Sequence, residues 1–106
     1  MQDDVLRVDV SRVDDVTWIT VTGEIDANTA LTLRATLDQL GIENRIVVDM
    51  AGVEFMDSSG LKVLLTQKLQ MMESNGWIRI SNASEAIHRL LDVTGLRDVL
   101  LEAEPS

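Results

Sequence analysis

The chain has 106 residues, of which 45% are apolar, enough for one folded domain over residues 1–106 with a core over about residues 5–102. Its 18 acidic and nine basic side chains give a formal net charge of −9, which argues against contacts with the phosphates of nucleic acid or with anionic lipid. With no cysteine, no run of about 18 apolar residues and no signal peptide, we expect a cytoplasmic protein that has no membrane segment, disulfide or cofactor.

The hydrophobic pattern predicts strands and helices that alternate after an initial hairpin. The predicted strands are residues 5–10, 16–22, 45–50, 77–81 and 98–102, with a polar link over residues 11–15 inside the hairpin. The predicted helices cover about residues 27–40 and 58–73, with a third from Ser84 to Gly95. Because strand–helix–strand crossovers make neighbouring strands parallel, we expect an α/β sandwich. Its sheet is mixed and four- to five-stranded, with about three helices packed on it.

Glycines and cap residues mark the boundaries of the first helix. Residues 23–26 are predicted to form the turn into it, and Asp26 and Asn28 are both candidate caps. Gly41 is placed to end the helix in a left-handed conformation, with Ile42 as the apolar contact beyond it.

The second helix has an apolar side and a polar side. At about 100° per residue, the apolar side consists of Leu61, Leu64, Leu65, Leu69, Met71 and Met72. Val63 falls on the polar side, among Lys62, Thr66, Gln67 and Gln70. An apolar residue ringed by polar ones is typical of an interface centre, so we predict a partner surface made of this side, the helix start and the Asp26 turn.

The start of the second helix also has the residues of an anion site. The β-branched run over residues 46–48 predicts a buried strand, and Asp57-Ser58-Ser59-Gly60 then opens the helix. Two hydroxyls thus lie at the positive end of a helix, where a phosphate is stabilised. From the local sequence alone, a simple helix cap is the better explanation of these residues.

The sequence argues against an enzyme. Ser58 and Ser59 lack the Gly-x-Ser-x-Gly elbow of hydrolases, and the sole histidine, His88, lies on the third helix without an orienting partner. Asp49 follows the buried strand, as a phospho-accepting aspartate does, but the acidic pair that would hold Mg²⁺ is missing after the first strand. No Walker-type phosphate loop is present.

Three segments resemble one protein family. Phe55-Met56-Asp57-Ser58-Ser59-Gly60-Leu61 resembles the signature of the anti-sigma-factor antagonists, the bacterial STAS domains. Residues 23–26 resemble the segment that leads into the family's first helix, and residues 90–96 resemble its third helix and following turn. The resemblance covers roughly residues 5–102 and implies the STAS fold, in agreement with the predicted sandwich.

The resemblance implies a function by partner switching. In the family the first hydroxyl residue of the motif is phosphorylated, which is Ser58 here. The unmodified protein would bind an anti-sigma factor that is also a serine kinase, and so release the sigma factor. A metal-dependent serine/threonine phosphatase acting on phosphorylated Ser58 would restore that form. The expected partner-binding residues are Asp26, Asp57, Ser58, Ser59, Gly60, Lys62, Val63, Thr66, Gln67 and Gln70.

Two interpretations stay open at this point. Asp26 matches a family position implicated in the kinase contact, although a helix cap explains it equally well. STAS domains also serve as non-phosphorylated regulatory or structural subunits, for example of a lipid-transport or sensory complex. The intact Asp57–Leu61 motif and the single small acidic domain favour the phosphorylated antagonist.

Overall fold

The computed structural model describes residues 6–41 and 45–101. The elements are β1 (Leu6–Val13), β2 (Val16–Ile25), α1 (Ala30–Leu40), β3 (Arg45–Met56), α2 (Ser58–Met72), β4 (Trp77–Ser81), α3 (Glu85–Thr94) and α4 (Arg97–Leu100). The strands form a mixed sheet in the order β1-β2-β3-β4, in which β1 is antiparallel to β2 and the other neighbours are parallel. The predicted α/β sandwich with an N-terminal hairpin is confirmed.

The hairpin is tighter than the sequence predicted. Its strands continue to Val13 and resume at Val16, so the link is Asp14-Asp15 and not residues 11–15. Asp14 has a φ of 56°, a left-handed conformation that aspartate tolerates better than most residues. The polar residues before it still pair with β2, because side chains of an edge strand can face solvent without loss of the backbone ladder.

Both central strands run further than predicted, and together they place the ends of β2 and β3 side by side. β2 passes through Gly23, expected in a turn, and β3 continues over residues 51–56, expected to be a short connection. The register between the strands shifts twice, and Gly23 has a φ of 114°. Bulges of this kind interrupt the two-residue alternation that identifies a strand in sequence. As a result Ile25 pairs with Met56.

The main core lies between one face of the sheet and the helices. Its central members are Ile19, Val21, Ile46, Val48, Ile78 and Ile80 from the strands and Leu33, Leu37, Leu61, Leu64, Ile87 and Leu91 from the helices. The buried residues of α1 and α3 recur at helical spacing, as expected for helices that bury one side.

A second small cluster lies on the opposite face of the sheet. Val47 is 3% exposed yet does not belong to the main core. It pairs with Trp18 on one side and Arg79 on the other, and the Arg79 guanidinium lies 3.8 Å from the centre of the Trp77 ring. The large side chains of this face therefore bury Val47.

α2 is rotated about its axis relative to the prediction. Its buried residues are Gly60, Leu61, Leu64, Gln67 and Met71. Leu69 and Met72, predicted to be buried, are 64% and 62% exposed. A Cβ at Gly60 would lie 2.5 Å from Met56 Sδ and 2.8 Å from Ile25 Cγ2, so the missing side chain lets this side of the helix approach the sheet. Counting apolar residues alone could not identify that side.

The ends of the other helices agree with the prediction in part. The bounds predicted for the third helix are confirmed: Ser84 caps α3, and Gly95 ends it in a left-handed conformation. α1 begins at Ala30, later than predicted, and Gly41 has φ 82° and ψ 176°, a positive φ without left-handed helical geometry. Ile42 lies outside the described residues.

The predicted last strand, residues 98–102, is wrong. The chain forms the short helix α4 there, which buries Leu100 in the core, and Leu101 makes a single parallel bridge to Ile80. Glu102 lies outside the described residues. In the part of the chain that the structure describes, the helices are too short or too polar to cross a membrane.

Candidate functional site

Two predicted site segments converge where β2 and β3 end. Ile25 pairs with Met56, and the N–H of Asp57 donates a hydrogen bond to the carbonyl oxygen of Ile25, with 3.1 Å between the two atoms. Asp26 and Asp57 therefore leave the sheet next to each other, each shortly before a helix. The carboxyl edge of parallel strands is where α/β proteins commonly place their sites.

Asp57 is the cap of α2. Its Oδ1 accepts a hydrogen bond of 2.8 Å from the N–H of Ser59, and its carbonyl oxygen accepts one of 3.2 Å from the N–H of Gly60. Asp57 has an extended backbone conformation, and Ser58 is the first helical residue. Because an aspartate performs the capping, the Ser58 hydroxyl is not needed for it.

The two serines differ in exposure. Ser58 is exposed, whereas Ser59 is half-buried. Within residues 6–41 and 45–101, the structure gives neither hydroxyl a hydrogen-bond partner. Ser58 is therefore the hydroxyl that another protein can reach more easily.

Asp26 holds the turn that precedes α1. Its Oδ1 accepts hydrogen bonds from the N–H of Asn28 at 2.9 Å and of Thr29 at 3.0 Å, and the Thr29 hydroxyl donates to the carbonyl oxygen of Glu24. These bonds, above all that from the Thr29 amide, lower the pKa of Asp26 below its ordinary value of 3.8, although burial opposes the shift. Asp26 thus caps the turn before α1, while Thr29, the N-cap residue of the helix itself, makes no side-chain capping bond. Asn28, the other candidate, contributes its backbone N–H.

The surroundings of Ser58 are acidic and partly apolar. Asp57 precedes it, and Glu24 pairs with Phe55 on the neighbouring strands. Along α2 the first basic residue after Ser58 is Lys62, one helical turn further on. Phe55 is half-exposed, and it was not among the predicted site residues. The signal that could have identified it is the alternation of Val53, Glu54 and Phe55 in a strand the prediction had ended too early.

Three residues of the predicted partner side of α2 are less exposed than expected. Lys62, Thr66 and Gln70 are exposed, as expected. Val63 is half-buried and packs against the core, and Gln67 is only 5% exposed. Gly60 is buried against Met56 and Ile25, so it positions the helix and does not present a surface. All three residues are less exposed because α2 is rotated, relative to the prediction, so that their side of the helix packs against α1 and the sheet.

A groove between α1 and α2 is lined by most side chains of the predicted partner side of α2. It has a volume of about 330 Å³ and is lined by Lys62, Val63, Thr66, Gln67 and Gln70 of α2 together with Arg34, Leu37 and Asp38 of α1. The α1 residues were missed because no local pattern in the sequence tells which helices pack together.

The other two residues considered for catalysis, Asp49 and His88, make structural contacts. Asp49 lies inside β3, not after it, and its two oxygens accept hydrogen bonds from the N–H of Ala51 and from Asn82 Nδ2. His88 Nδ1 lies 3.1 Å from a guanidinium nitrogen of Arg97. Among the residues that the structure describes, no three His, Asp or Glu side chains are grouped as metal ligands would be.

The sequence and fold match known proteins. The family model of the STAS domain matches residues 7–106. The chain belongs to the STAS domain family. The relative named "Anti-sigma-B factor antagonist" from Bacillus subtilis (strain 168) is 34% identical, over 90% of this chain and 88% of the relative. The resemblance to the anti-sigma-factor antagonists, first seen around Asp57-Ser58-Ser59-Gly60, is thereby confirmed.

The fold of this STAS domain is shared with the anti-sigma factor antagonist SpoIIAA, whose structure is known in two forms. The unphosphorylated form has a TM-score of 0.77 at 20% identity, covering 92% of this chain and 89% of SpoIIAA. The phosphorylated form of this Bacillus cell fate determinant has a TM-score of 0.69 at 21% identity, and the match covers 92% of each chain.

Proposed function

We propose that this STAS domain is an anti-sigma factor antagonist controlled by phosphorylation at Ser58. In its unphosphorylated form it binds an anti-sigma factor that is also a serine kinase, so that the sigma factor is released. The observation that carries the proposal is the exposed Ser58 hydroxyl at the first residue of α2, in a chain 34% identical to a named antagonist. The existence of SpoIIAA in unphosphorylated and phosphorylated forms supports it.

The kinase supplies the chemistry of the forward step. A bond forms between Ser58 Oγ and the γ-phosphorus of ATP, the bond between that phosphorus and ADP breaks, and the hydroxyl proton leaves to the kinase or to solvent. A metal-dependent phosphatase reverses the change by adding water, which yields inorganic phosphate and the free hydroxyl. The antagonist itself contributes a reachable hydroxyl and no catalytic group.

The phosphate is expected to act on the partner and to leave the antagonist folded. It adds a charge of about −1.5 to −2 at the positive end of α2, where an anion is stabilised by the helix dipole. The same charge lies beside Asp57 in a chain of net charge −9. It therefore changes the electrostatics of the partner surface far more than the stability of the fold.

Ser58 is a better acceptor than Ser59 for geometric reasons. Ser59 is half-buried, and its N–H is bound by the Asp57 carboxylate, which fixes its backbone in the first turn. Ser58 is exposed and follows the cap directly. A kinase active site can enclose the Ser58 side chain without disturbing the cap.

The decisive experiment is phosphorylation by purified kinases. Each anti-sigma factor kinase encoded in the source genome is incubated with the protein and Mg-ATP, and the intact mass is recorded. We expect one added phosphate on the wild type and on Ser59→Ala, and none on Ser58→Ala. Phosphate on Ser59 would overturn the site. A wild type that binds no anti-sigma factor and stays unmodified would overturn the function in favour of a non-phosphorylated regulatory subunit.

A binding titration with the same kinase tests the direction of the switch. The unphosphorylated protein should bind, and addition of ATP should weaken the complex about 5- to 150-fold, the usual range of coupling between two events on one protein. Ser58→Ala should bind equally well with and without ATP hydrolysis. A phosphorylated protein that binds more tightly than the unmodified one contradicts the proposed direction.

A further inference from the structure

The groove between α1 and α2 is lined by a largely buried glutamine whose carboxamide the fold itself does not use. Gln67 is 5% exposed and lines the groove. Among the described residues its carboxamide has no hydrogen-bond partner. The carboxamide atoms are not among the fully buried polar atoms that lack a partner in the described part of the chain, so they reach the open groove, where a ligand can pair with them. Since a carboxamide both donates and accepts, it is complementary to a peptide group.

The rim of the groove is basic although the chain is strongly acidic. Lys62 is exposed and has no carboxylate partner within the described part of the chain. Arg34 lies 4.0 Å from Asp38, at the limit of an ion pair between exposed side chains. The groove is therefore lined by two cationic side chains and one anionic side chain, which makes it locally positive in a chain of net charge −9. Such a local reversal of sign favours an acidic ligand.

The floor of the groove is apolar. Leu37 is buried, and Val63 is half-buried against the core. A volume of about 330 Å³ is at the small end of ligand pockets and can take one or two side chains. The combination of an amide, a cation and an apolar floor suits a short polypeptide segment.

We propose that this groove holds an extended acidic segment of the anti-sigma factor, with a peptide group on the Gln67 carboxamide and a carboxylate at Lys62. The inference rests on the proposed function and names the chemistry of the partner's docking segment. It also provides a mechanism for release. Ser58 and Lys62 are four residues apart on α2, so a phosphate on Ser58 is a neighbour of the Lys62 ammonium and competes with the partner's carboxylate for it.

Charge reversal tests the role of Lys62. Affinity for the anti-sigma factor kinase is measured by calorimetry without ATP for the wild type, Lys62→Glu and Lys68→Glu. Lys68 is the matched control, since it lies on the same helix but does not line the groove. We expect Lys62→Glu to weaken binding at least about tenfold and Lys68→Glu to change it less than about twofold. Lys62→Arg should retain binding.

Gln67→Leu separates recognition from folding. Leucine has a similar volume and replaces an amide that makes no hydrogen bond within the described part of the chain, so the thermal midpoint should change little. Binding should weaken about tenfold, because the partner's peptide group is left unpaired. A structural role of Gln67 would instead lower the midpoint.

Photo-crosslinking identifies the segment itself. A benzoylphenylalanine in place of Thr66, which is exposed and lines the groove, is irradiated in the complex, and the captured kinase peptide is sequenced. The control places the same group at the exposed Val93 of α3. We expect position 66 to capture a peptide with Asp or Glu that position 93 does not capture.

The outcomes distinguish this inference from the function it rests on. If the kinase binds and phosphorylates the wild type but binds Lys62→Glu and Gln67→Leu with wild-type affinity, the groove inference is wrong and the function stands. A neutral or basic peptide captured at position 66 also overturns it. If the wild type binds no anti-sigma factor kinase, both fail.

Discussion

The N–H of Asp57 lies 3.1 Å from the carbonyl oxygen of Ile25, and this hydrogen bond fixes the start of α2 to the end of β2. Asp57 then caps the helix with its carboxylate, while Asp26, the residue after Ile25, holds the turn before α1. The position of Ser58 is thus set by the two central strands, and changes at either strand end should affect it.

Asp57→Ala should lower the free energy of unfolding by about 0.5–2 kcal/mol, because it removes the side-chain cap of α2. Ser58→Ala should change it by no more than about 0.5 kcal/mol, since Ser58 is exposed and makes no capping bond. Urea unfolding followed by circular dichroism measures both. A larger loss in Ser58→Ala than in Asp57→Ala would mean that the serine is the cap.

Gly60→Ala should destabilise the fold by about 1–3 kcal/mol, although alanine favours helix formation by up to about 1 kcal/mol over glycine. The added methyl would lie 2.5 Å from Met56 Sδ and 2.8 Å from Ile25 Cγ2, so these side chains or α2 must shift. Thr66→Ala, at an exposed position of the same helix, is the control and should be neutral or slightly stabilising. A gain in the thermal midpoint of Gly60→Ala would refute the close approach.

The order of the elements up to α3 could be predicted from the sequence, while the short helix α4 and the orientation of α2 could not. Hydrophobic alternation, with the caps Ser84 and Gly95, is local information and identified the strands and α3. The side of α2 that is buried depends on the close approach at Gly60, which is a tertiary contact. For that reason Leu69 was wrongly expected inside and Gln67 outside.

The candidate site, too, could be predicted from the sequence only in part. The cap of α2 is encoded within Asp57–Gly60, so a capped helix start was predictable, although the choice of Asp57 over Ser58 as the capping residue was not. The approach of Asp26 to Asp57 follows from two bulges and a strand pairing between distant segments. Arg34 and Leu37 enter the groove from another helix, which no pattern in α2 reveals.

Asp26→Asn should show a pH-dependent loss of stability. The pKa of Asp26 in the fold is lowered below its ordinary value of 3.8, so the ionised carboxylate stabilises the fold above about pH 4. This contribution is lost as the pH falls through the lowered pKa. The difference in unfolding free energy between wild type and Asp26→Asn should therefore be present at pH 7 and shrink in acid. Asn28→Ala keeps the backbone N–H and should cause a difference that does not vary with pH; a constant difference for Asp26→Asn would contradict the prediction.

Val47→Ala should cost about 2 kcal/mol of unfolding free energy, because it removes two buried methyl groups beneath Trp18 and Arg79. Val13→Ala, at an exposed end of β1, should cost less than about 0.5 kcal/mol. Chemical denaturation of the two variants measures both losses in unfolding free energy. Equal losses would show that the far face of the sheet contributes no buried cluster to stability.

Ser58→Asp should separate the effect of charge on the fold from its effect on the partner. Ser58 is the first residue of α2, so an acid there interacts favourably with the helix dipole and should raise the unfolding free energy by about 0.3–1 kcal/mol. Binding to the anti-sigma factor should fall less than with phosphoserine, because one carboxylate has less charge and fewer acceptor oxygens.

The matched variant Ser59→Asp places the same charge one residue further in, where the side chain is half-buried, and should lower stability instead. Thermal unfolding and titration against the kinase are measured on the same samples. If Ser58→Asp binds like the wild type while phosphorylated protein does not, charge alone is not the switch and the shape of the phosphate is required. If Ser58→Asp unfolds the domain, Ser58 is not the exposed first residue of α2.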